Sequence, residues 1–398
     1  MNKLRISNFQ VFMGLYGAAI AYGHFVYTGL VFQAAGRDAW FCLIIGTVAG
    51  AGILYLHQKL AVIYTRQTIV RYNALVFGKW AGSVVSAVYV LFFLFIAALT
   101  IQELSIFMGL IYPKTPAQFF LVFEFLLVGW VVRAGGEVVT RVIQLLLPGL
   151  IVFGILATLF SMKDKDPSKL LPLLDHSFMN LMHGSLIYVV MFCDLVVFGM
   201  FYADVNQIEK LPKHGLFAVG LLGLMFFGPA TGPIMVFGEN LARVLPYPTY
   251  SQIQYIQISG LFERMDIVGV LLWTMGAYIR ASVYVLGAAR GISHMFQEQR
   301  ETLYVLPVVV LVAGISLSLL PMSREEIHRF LFSSYPFIAV FVGVVLPLVT
   351  LGVGVFRTPG RSGRSGSPDS SGSRGNGGNR GMSRLPLAGL SRRNSESP

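Results

Sequence analysis

Five ionisable side chains, His24, Glu103, Glu124, Asp194 and Arg280, stand inside long apolar runs of this chain. A charge at the centre of a bilayer costs about 2.5–3.5 kcal/mol on insertion scales unless it faces a cavity or a partner. Asp194 could bind a substrate amine or carry a proton, with Arg280 supplying fixed positive charge in a polar cavity. Asp194 and Arg280 could equally form an internal salt bridge that only locks helices together. Glu103 and Glu124 are further candidates for a proton or charge relay. His24, taken alone, reads as a packed or capped histidine.

The runs that carry two of these groups are themselves interrupted. The first, roughly 8–33, reads Ala21-Tyr22-Gly23-His24 near its middle, and another, roughly 182–203, reads Phe192-Cys193-Asp194. Interrupted hydrophobic segments at corresponding places in two halves of a membrane chain point to a transporter-type binding site at the bilayer midplane. That coincidence favours the cavity reading and makes Ala21, Tyr22, Gly23, His24, Phe192, Cys193, Asp194 and Arg280 the expected substrate-binding set. Gly23 is the expected break, where freed backbone groups would meet a ligand, whereas Gly14 and Gly17 are expected to serve close helix packing.

The elements that must position these residues follow from hydropathy. The 398 residues are 55% hydrophobic and 12% charged, about half the charge of a soluble domain. Apolar runs long enough to cross a bilayer recur throughout. Ten transmembrane helices are expected at roughly 8–33, 39–63, 80–112, 117–133, 142–162, 182–203, 215–237, 267–290, 303–321 and 333–356. Five per half is an odd number of crossings, so the second half lies inverted: an all-α polytopic membrane protein with a 5+5 inverted repeat, repeat one at 8–162 and repeat two at 182–356. Residues 64–79 read as an interfacial amphipathic helix, and 238–266 as a structured outer loop.

Lysines and arginines number twelve in the loops on the N-terminal side and nine on the other, before the tail. Both termini are expected in the cytoplasm. Residues 357–398 hold eight arginines against Asp369 and Glu396 in a Ser/Gly-rich sequence, expected to be a disordered tail facing anionic lipid rather than nucleic acid. Cys42 and Cys193 both fall within spans, giving no disulfide framework or metal spacing. No nucleophile elbow or phosphate loop appears, so no enzyme and no cofactor are expected.

Four further groups of residues have a recognisable order: Ile6-Ser7-Asn8-Phe9-Gln10 before the first helix, Arg37-Asp38-Ala39-Trp40 at the second, Gly135-Gly136-Glu137 with Arg141 between the fourth and fifth, and Pro248, Phe262-Glu263-Arg264-x-Asp266 and Trp273 leading into the eighth. In these the chain resembles the B subunits of spore germination receptors, permeases of the amino acid–polyamine–organocation superfamily. The resemblance implies a leucine-transporter-like fold and the binding of a small nutrient, an amino acid or a sugar. It also implies signalling to A- and C-type subunits in the spore inner membrane. The family's Phe-x-Gly-x-Glu in the sixth helix is here Phe192-Cys193-Asp194-Leu195-Val196, with Asp194 at the glycine position and Val196 at the acidic one. The rival reading is a proton-coupled amino acid or amine symporter.

Overall fold

A computed structural model describes residues 6–256, 266–298 and 300–357. The tail from 358 and the Phe262-Glu263-Arg264 group lie outside the described residues. The described chain is helical from end to end. In chain order the α-helices are α1 (Asn8–Tyr22), α2 (Thr28–Ala35), α3 (Ala39–Ile63), α4 (Ile69–Phe77), α5 (Lys79–Ile111), α6 (Ala117–Arg133), α7 (Gly136–Phe160) and α8 (Phe178–Asp194). They continue with α9 (Leu211–Phe237), α10 (Glu239–Val244), α11 (Pro248–Tyr255), α12 (Asp266–Met295), α13 (Val305–Leu319), α14 (Arg324–Ser333), α15 (Tyr335–Val340) and α16 (Leu346–Arg357).

Each of the ten expected spans is helical, with shifted limits: α7, α8 and α9 each begin about four to six residues earlier than hydropathy suggested. Among the described residues eight helical runs are long and apolar enough to cross a membrane; the first, Asn8–Ile63, covers two expected spans, and the 17-residue α6 is not among the eight. On α6 the exposed residues Phe119, Val122, Phe123, Leu126 and Trp130 recur at helical spacing, while Leu121, Glu124, Val128 and Val131 are buried. An outward apolar stripe over an inward face that holds a carboxylate reverses the soluble-protein pattern and suits hydrocarbon.

Three of the four sequence groups set apart above are structural devices. Ser7 and Gln10 form a reciprocal capping box at the start of α1, which satisfies two orphan donors of the helix. Ile6, just before it, pairs in parallel with Val205, the Ile6 N–H donating to Asp204 and the Asn206 N–H donating to Ile6. Gly135 adopts φ 103°, which only glycine takes without strain, and turns α6 into α7. Glu137 and Arg141 then pair one turn apart on the surface of α7. Asp38 is fully buried and accepts from the backbone N–H groups of Leu174, Asp175 and His176 and from His176 Nδ1. His176 in turn meets Glu239, which also holds Arg37 and Arg243. This clamp ties the α2–α3 corner to the loop before α8 and to the start of α10.

At the other end of the bundle Arg290 joins Asp204 and Glu301 and donates to the Met200 carbonyl. The amphipathic segment is α4: Ile69, Val70, Tyr72 and Val76 are buried and Arg71 is exposed. α10 and α11 fill much of the loop expected at 238–266.

Candidate functional site

Three helices lose their α geometry on the way through the bundle. Between α1 and α2 a π turn spans Gly23–Tyr27, after α8 a 3₁₀ stretch runs Leu195–Met200, and between α15 and α16 a second π turn spans Phe341–Val345. Gly23 was expected to unwind its helix; instead the backbone winds wider by one residue there. Thr28 Oγ1 donates back to the Gly23 carbonyl, and a β-carbon at Gly23 would overlap the Phe226 ring. The third irregularity was not foreseen. Gly343 lets that turn lie on the next element, since a β-carbon there would stand 2.6 Å from Cys193 Cβ. Its carbonyl meets His57 Nε2 at 2.6 Å.

The irregular segments converge on Asp194. Its Oδ2 accepts from Tyr27 Oη at 2.5 Å and from Arg280 Nη2 at 2.7 Å, and its Oδ1 accepts from Tyr335 Oη at 2.5 Å. The Asp194 carbonyl takes a fourth bond, from Tyr284 Oη at 2.7 Å. Arg280 spends its other donors on Thr100 Oγ1 at 3.2 Å and the Ala18 carbonyl at 2.9 Å. The Tyr22 and Tyr284 rings lie within 4.7 and 5.1 Å of the guanidinium carbon. Asp194 and Arg280 side chains are 0% and 1% exposed. Both carboxylate oxygens of Asp194 and all three nitrogens of Arg280 therefore have a protein partner, supplied from α1, α5, α8, α12, α15 and the first π turn. The expectation that this pair lines an open polar cavity is not met in this conformation; the salt-bridge reading is the one the geometry fits.

A second buried carboxylate sits one turn along α5. α5 and α12 run antiparallel, so their inward residues form rungs: Phe93 with Tyr284, Thr100 with Arg280, and Phe107 with Trp273 at a 4.0 Å ring separation. Glu103 lies between the last two rungs and is 0% exposed. Its Oε2 meets His328 Nε2 of α14 at 3.3 Å, while Oε1 has no hydrogen-bond partner among the described residues. The Tyr22 hydroxyl and Trp273 Nε1 are likewise buried without a hydrogen-bond partner among the described residues, and the Tyr247 hydroxyl lies within hydrogen-bond reach of Glu103. Phe25, Phe107, Tyr247, Tyr250 and Trp273 stack around this position. Just above it, Tyr247 and Tyr250 line a cavity of about 320 Å³ with Leu110, Tyr112, Ser251 and Gln254.

The remaining expected residues scatter. Ala21 is the penultimate residue of α1. His24 faces away from Asp194: its ring meets Phe226 edge-on at 4.4 Å, and it lines an apolar crevice of about 190 Å³ with residues of α7 and α9. Phe192 and Cys193 are fully buried packing residues. Glu124 is buried on α6, with Oε1 unpartnered, and belongs to neither carboxylate centre. Sequence reading missed Tyr27, Thr100, Tyr284 and Tyr335 as partners of the Asp194–Arg280 pair, and missed His328 and Tyr247 beside Glu103. Only the tyrosines left a trace, as hydroxyls in otherwise apolar spans.

Comparisons with known proteins agree over nearly the whole membrane region. The sequence model of the family described as spore germination protein matches residues 5–327. Spore germination protein KB of Bacillus subtilis (strain 168) is 24% identical over 367 residues, 91% of this chain and 98% of that protein. Spore germination protein XB of Bacillus anthracis is 21% identical over 353 residues, 88% and 95%. Among solved structures, MhsT in complex with L-phenylalanine superposes with a TM-score of 0.63 at 15% identity, covering 89% of this chain and 99% of that one. Mhp1, a nucleobase-cation-symport-1 family transporter, superposes at 0.66 and 14%, covering 87% and 79%. Both have the leucine-transporter fold.

Proposed function

The chain belongs to the spore germination protein family, and on that premise we propose that it binds a small nutrient germinant and signals to partner subunits of A and C type. It is a multi-pass, permease-like membrane protein with a transporter fold, of receptor or transporter rather than enzyme type, and we assign it no catalytic step. Residues 1–356 form the membrane domain, with ten crossings in two inverted halves. Both termini face the cytoplasm, in the spore inner membrane. The nutrient lies among α1–α2, α5, α8 and α12, on the side of the Asp194–Arg280 pair that faces α11.

The observation that carries this reading is closure at both ends of a transporter fold. The Asp38–His176–Glu239 clamp ties one end, and the Ile6–Val205 pairing with Arg290 ties the other. A receptor needs two states whose balance a ligand shifts, and a closed, tied state supplies one of them. Deleting the gene should remove germination in response to a subset of nutrients, with the response restored by the intact gene. The chain should also co-purify with A- and C-type subunits from spore membranes. The symporter reading predicts instead that the purified chain in proteoliposomes takes up labelled amino acids down an imposed proton gradient. Uptake without any germination phenotype would replace the receptor reading.

A further inference from the structure

The π turn at Gly23–Tyr27 has two sides. Tyr27, its last residue, holds Asp194, the hub of the buried network. His24 lies on the other side and lines the crevice of about 190 Å³ between α7 and α9. That crevice opens on the outer faces of two membrane-spanning helices. Ile155, Leu159 and Leu224 line it and are 45%, 58% and 72% exposed, and in a bilayer such faces meet hydrocarbon. The gap is there because two positions of the crossing carry no side chain. A β-carbon on Gly228 would already stand 3.5 Å from Thr158 Oγ1, and one on Gly154 4.0 Å from Met225 Cε.

The walls are mostly apolar, and the polar side chains among them have partners within the protein. Thr158 donates to the Gly154 carbonyl, Thr249 to the His24 carbonyl and Gln252 to Ser161 Oγ. Two polar groups of the lining are left over. His24 Nε2 is buried with no hydrogen-bond partner among the described residues. Pro229, inside α9, has no N–H to offer the Met225 carbonyl one turn before it. Buried polar groups of this kind call for a partner.

The chemistry that fits is narrow. An ion entering from hydrocarbon would leave its charge uncompensated at high cost. An acyl chain could fill the space but would leave the imidazole nitrogen unbonded. A hydroxyl suits that nitrogen in either tautomer, because it both donates and accepts. An apolar cavity of about 150 Å³ takes benzene, so about 190 Å³ has room for one ring and a hydroxyl.

We propose that this crevice is a second binding site, entered from the bilayer, for an uncharged molecule of phenol size that carries one hydroxyl. His24 and the Met225 carbonyl are its polar anchors. The site lies apart from the Asp194–Arg280 pair and does not depend on which nutrient the protein senses.

The test uses the full-length protein in lipid nanodiscs, with empty nanodiscs as the reference for partition into the bilayer. Fluorine NMR follows 4-fluorophenol and fluorobenzene, which differ only in the hydroxyl. 4-Fluorophenol should give a protein-dependent bound signal that excess phenol displaces, and fluorobenzene should bind at least tenfold more weakly. Ile155→Trp, at the lipid-facing mouth, should fill the crevice and abolish the signal. Should that variant fail to fold, Leu224→Trp closes the mouth from α9. His24→Phe should bring 4-fluorophenol down to the level of fluorobenzene. The assignment is overturned by a signal no larger than in empty nanodiscs, by one indifferent to the mouth variants, or by a hydroxyl preference that survives in His24→Phe. Equal binding of the two probes also overturns it and makes the crevice a place for hydrocarbon alone, such as a lipid chain.

Discussion

Two buried carboxylates, Asp194 at the end of α8 and Glu103 on α5, stand beside the α5–α12 seam in different conditions. Asp194 accepts three side-chain hydrogen bonds, one of them from a guanidinium. Glu103, equally buried, has an imidazole at the edge of bonding distance and the Tyr247 hydroxyl within reach, with no cationic partner of fixed charge among the described residues. A saturated charge holds helices in one arrangement, because moving any of them strands a buried ion. An unsaturated one has binding capacity left over. The contrast separates a carboxylate held by a fixed cation from one held by neutral or titratable groups, although both read alike as acids in apolar helices.

The largest effect that could break this comparison is at the hub. Asp194→Asn or Arg280→Met should each cost about 3–5 kcal/mol, as expected when one partner of a buried pair is removed. The measurable result is loss of folded protein from the membrane fraction. The double change Asp194→Asn with Arg280→Met should recover part of that loss, since no ion is left stranded. Normal membrane levels of Asp194→Asn with a selective loss of nutrient response would instead return Asp194 to the binding site.

Next in size is the close approach that sets the first π turn. Gly23→Ala should cost about 1–3 kcal/mol through overpacking against Phe226, with Phe226→Leu restoring most of it in the same unfolding assay. An unchanged transition would mean that the π turn does not depend on this contact. Glu103→Gln sharpens the comparison from the other side. It should change stability by less than about 1 kcal/mol, because it removes a poorly compensated charge rather than a network. A loss as large as that at Asp194 would make Glu103 a hub as well.

The smallest effect lies outside the membrane, at the clamp. Burial raises the Glu239 carboxyl, but its bond to Arg37 and the charges of His176 and Arg243 outweigh that and hold it below the ordinary value of 4.5. A depressed folded value means the contribution is present above the unfolded pKa and is lost as pH falls through the folded one. Thermal stability of the purified protein should therefore decline modestly below about pH 4.3, and Glu239→Gln should flatten that decline. A decline unaffected by the substitution would place its origin in other carboxylates.

How much of this was legible in the sequence depends on the range of the signal. The spans were legible because hydropathy is a sum over neighbours along the chain, and the errors at α7, α8 and α9 fall at their ends, where flanking polar residues join the first turn. The break near Gly23 was legible, but its form was not. A π turn differs from unwinding only in one added residue, and the glycine is there for Phe226, which lies far along the chain. The third irregular segment escaped notice because Phe341–Val345 is uniformly apolar apart from Gly343. The group Arg37-Asp38-Ala39-Trp40 carried family likeness without showing that Asp38 caps a distant loop. His24, adjacent to the break, looked like a ligand and turned its ring the other way.

The sequence by itself determined that this is a helical membrane chain, where its helices run, that two of them are irregular, and that Glu103, Glu124, Asp194 and Arg280 stand within them. Those properties depend on residue type and near neighbours. Only the tertiary structure decided which buried charge is neutralised. Asp194 meets Arg280 from 86 positions away, and Glu103 meets His328 from 225 positions away. Compensation of a buried charge acts between side chains a few ångströms apart in a medium of low dielectric, and hydropathy along the chain carries no record of which side chains those will be.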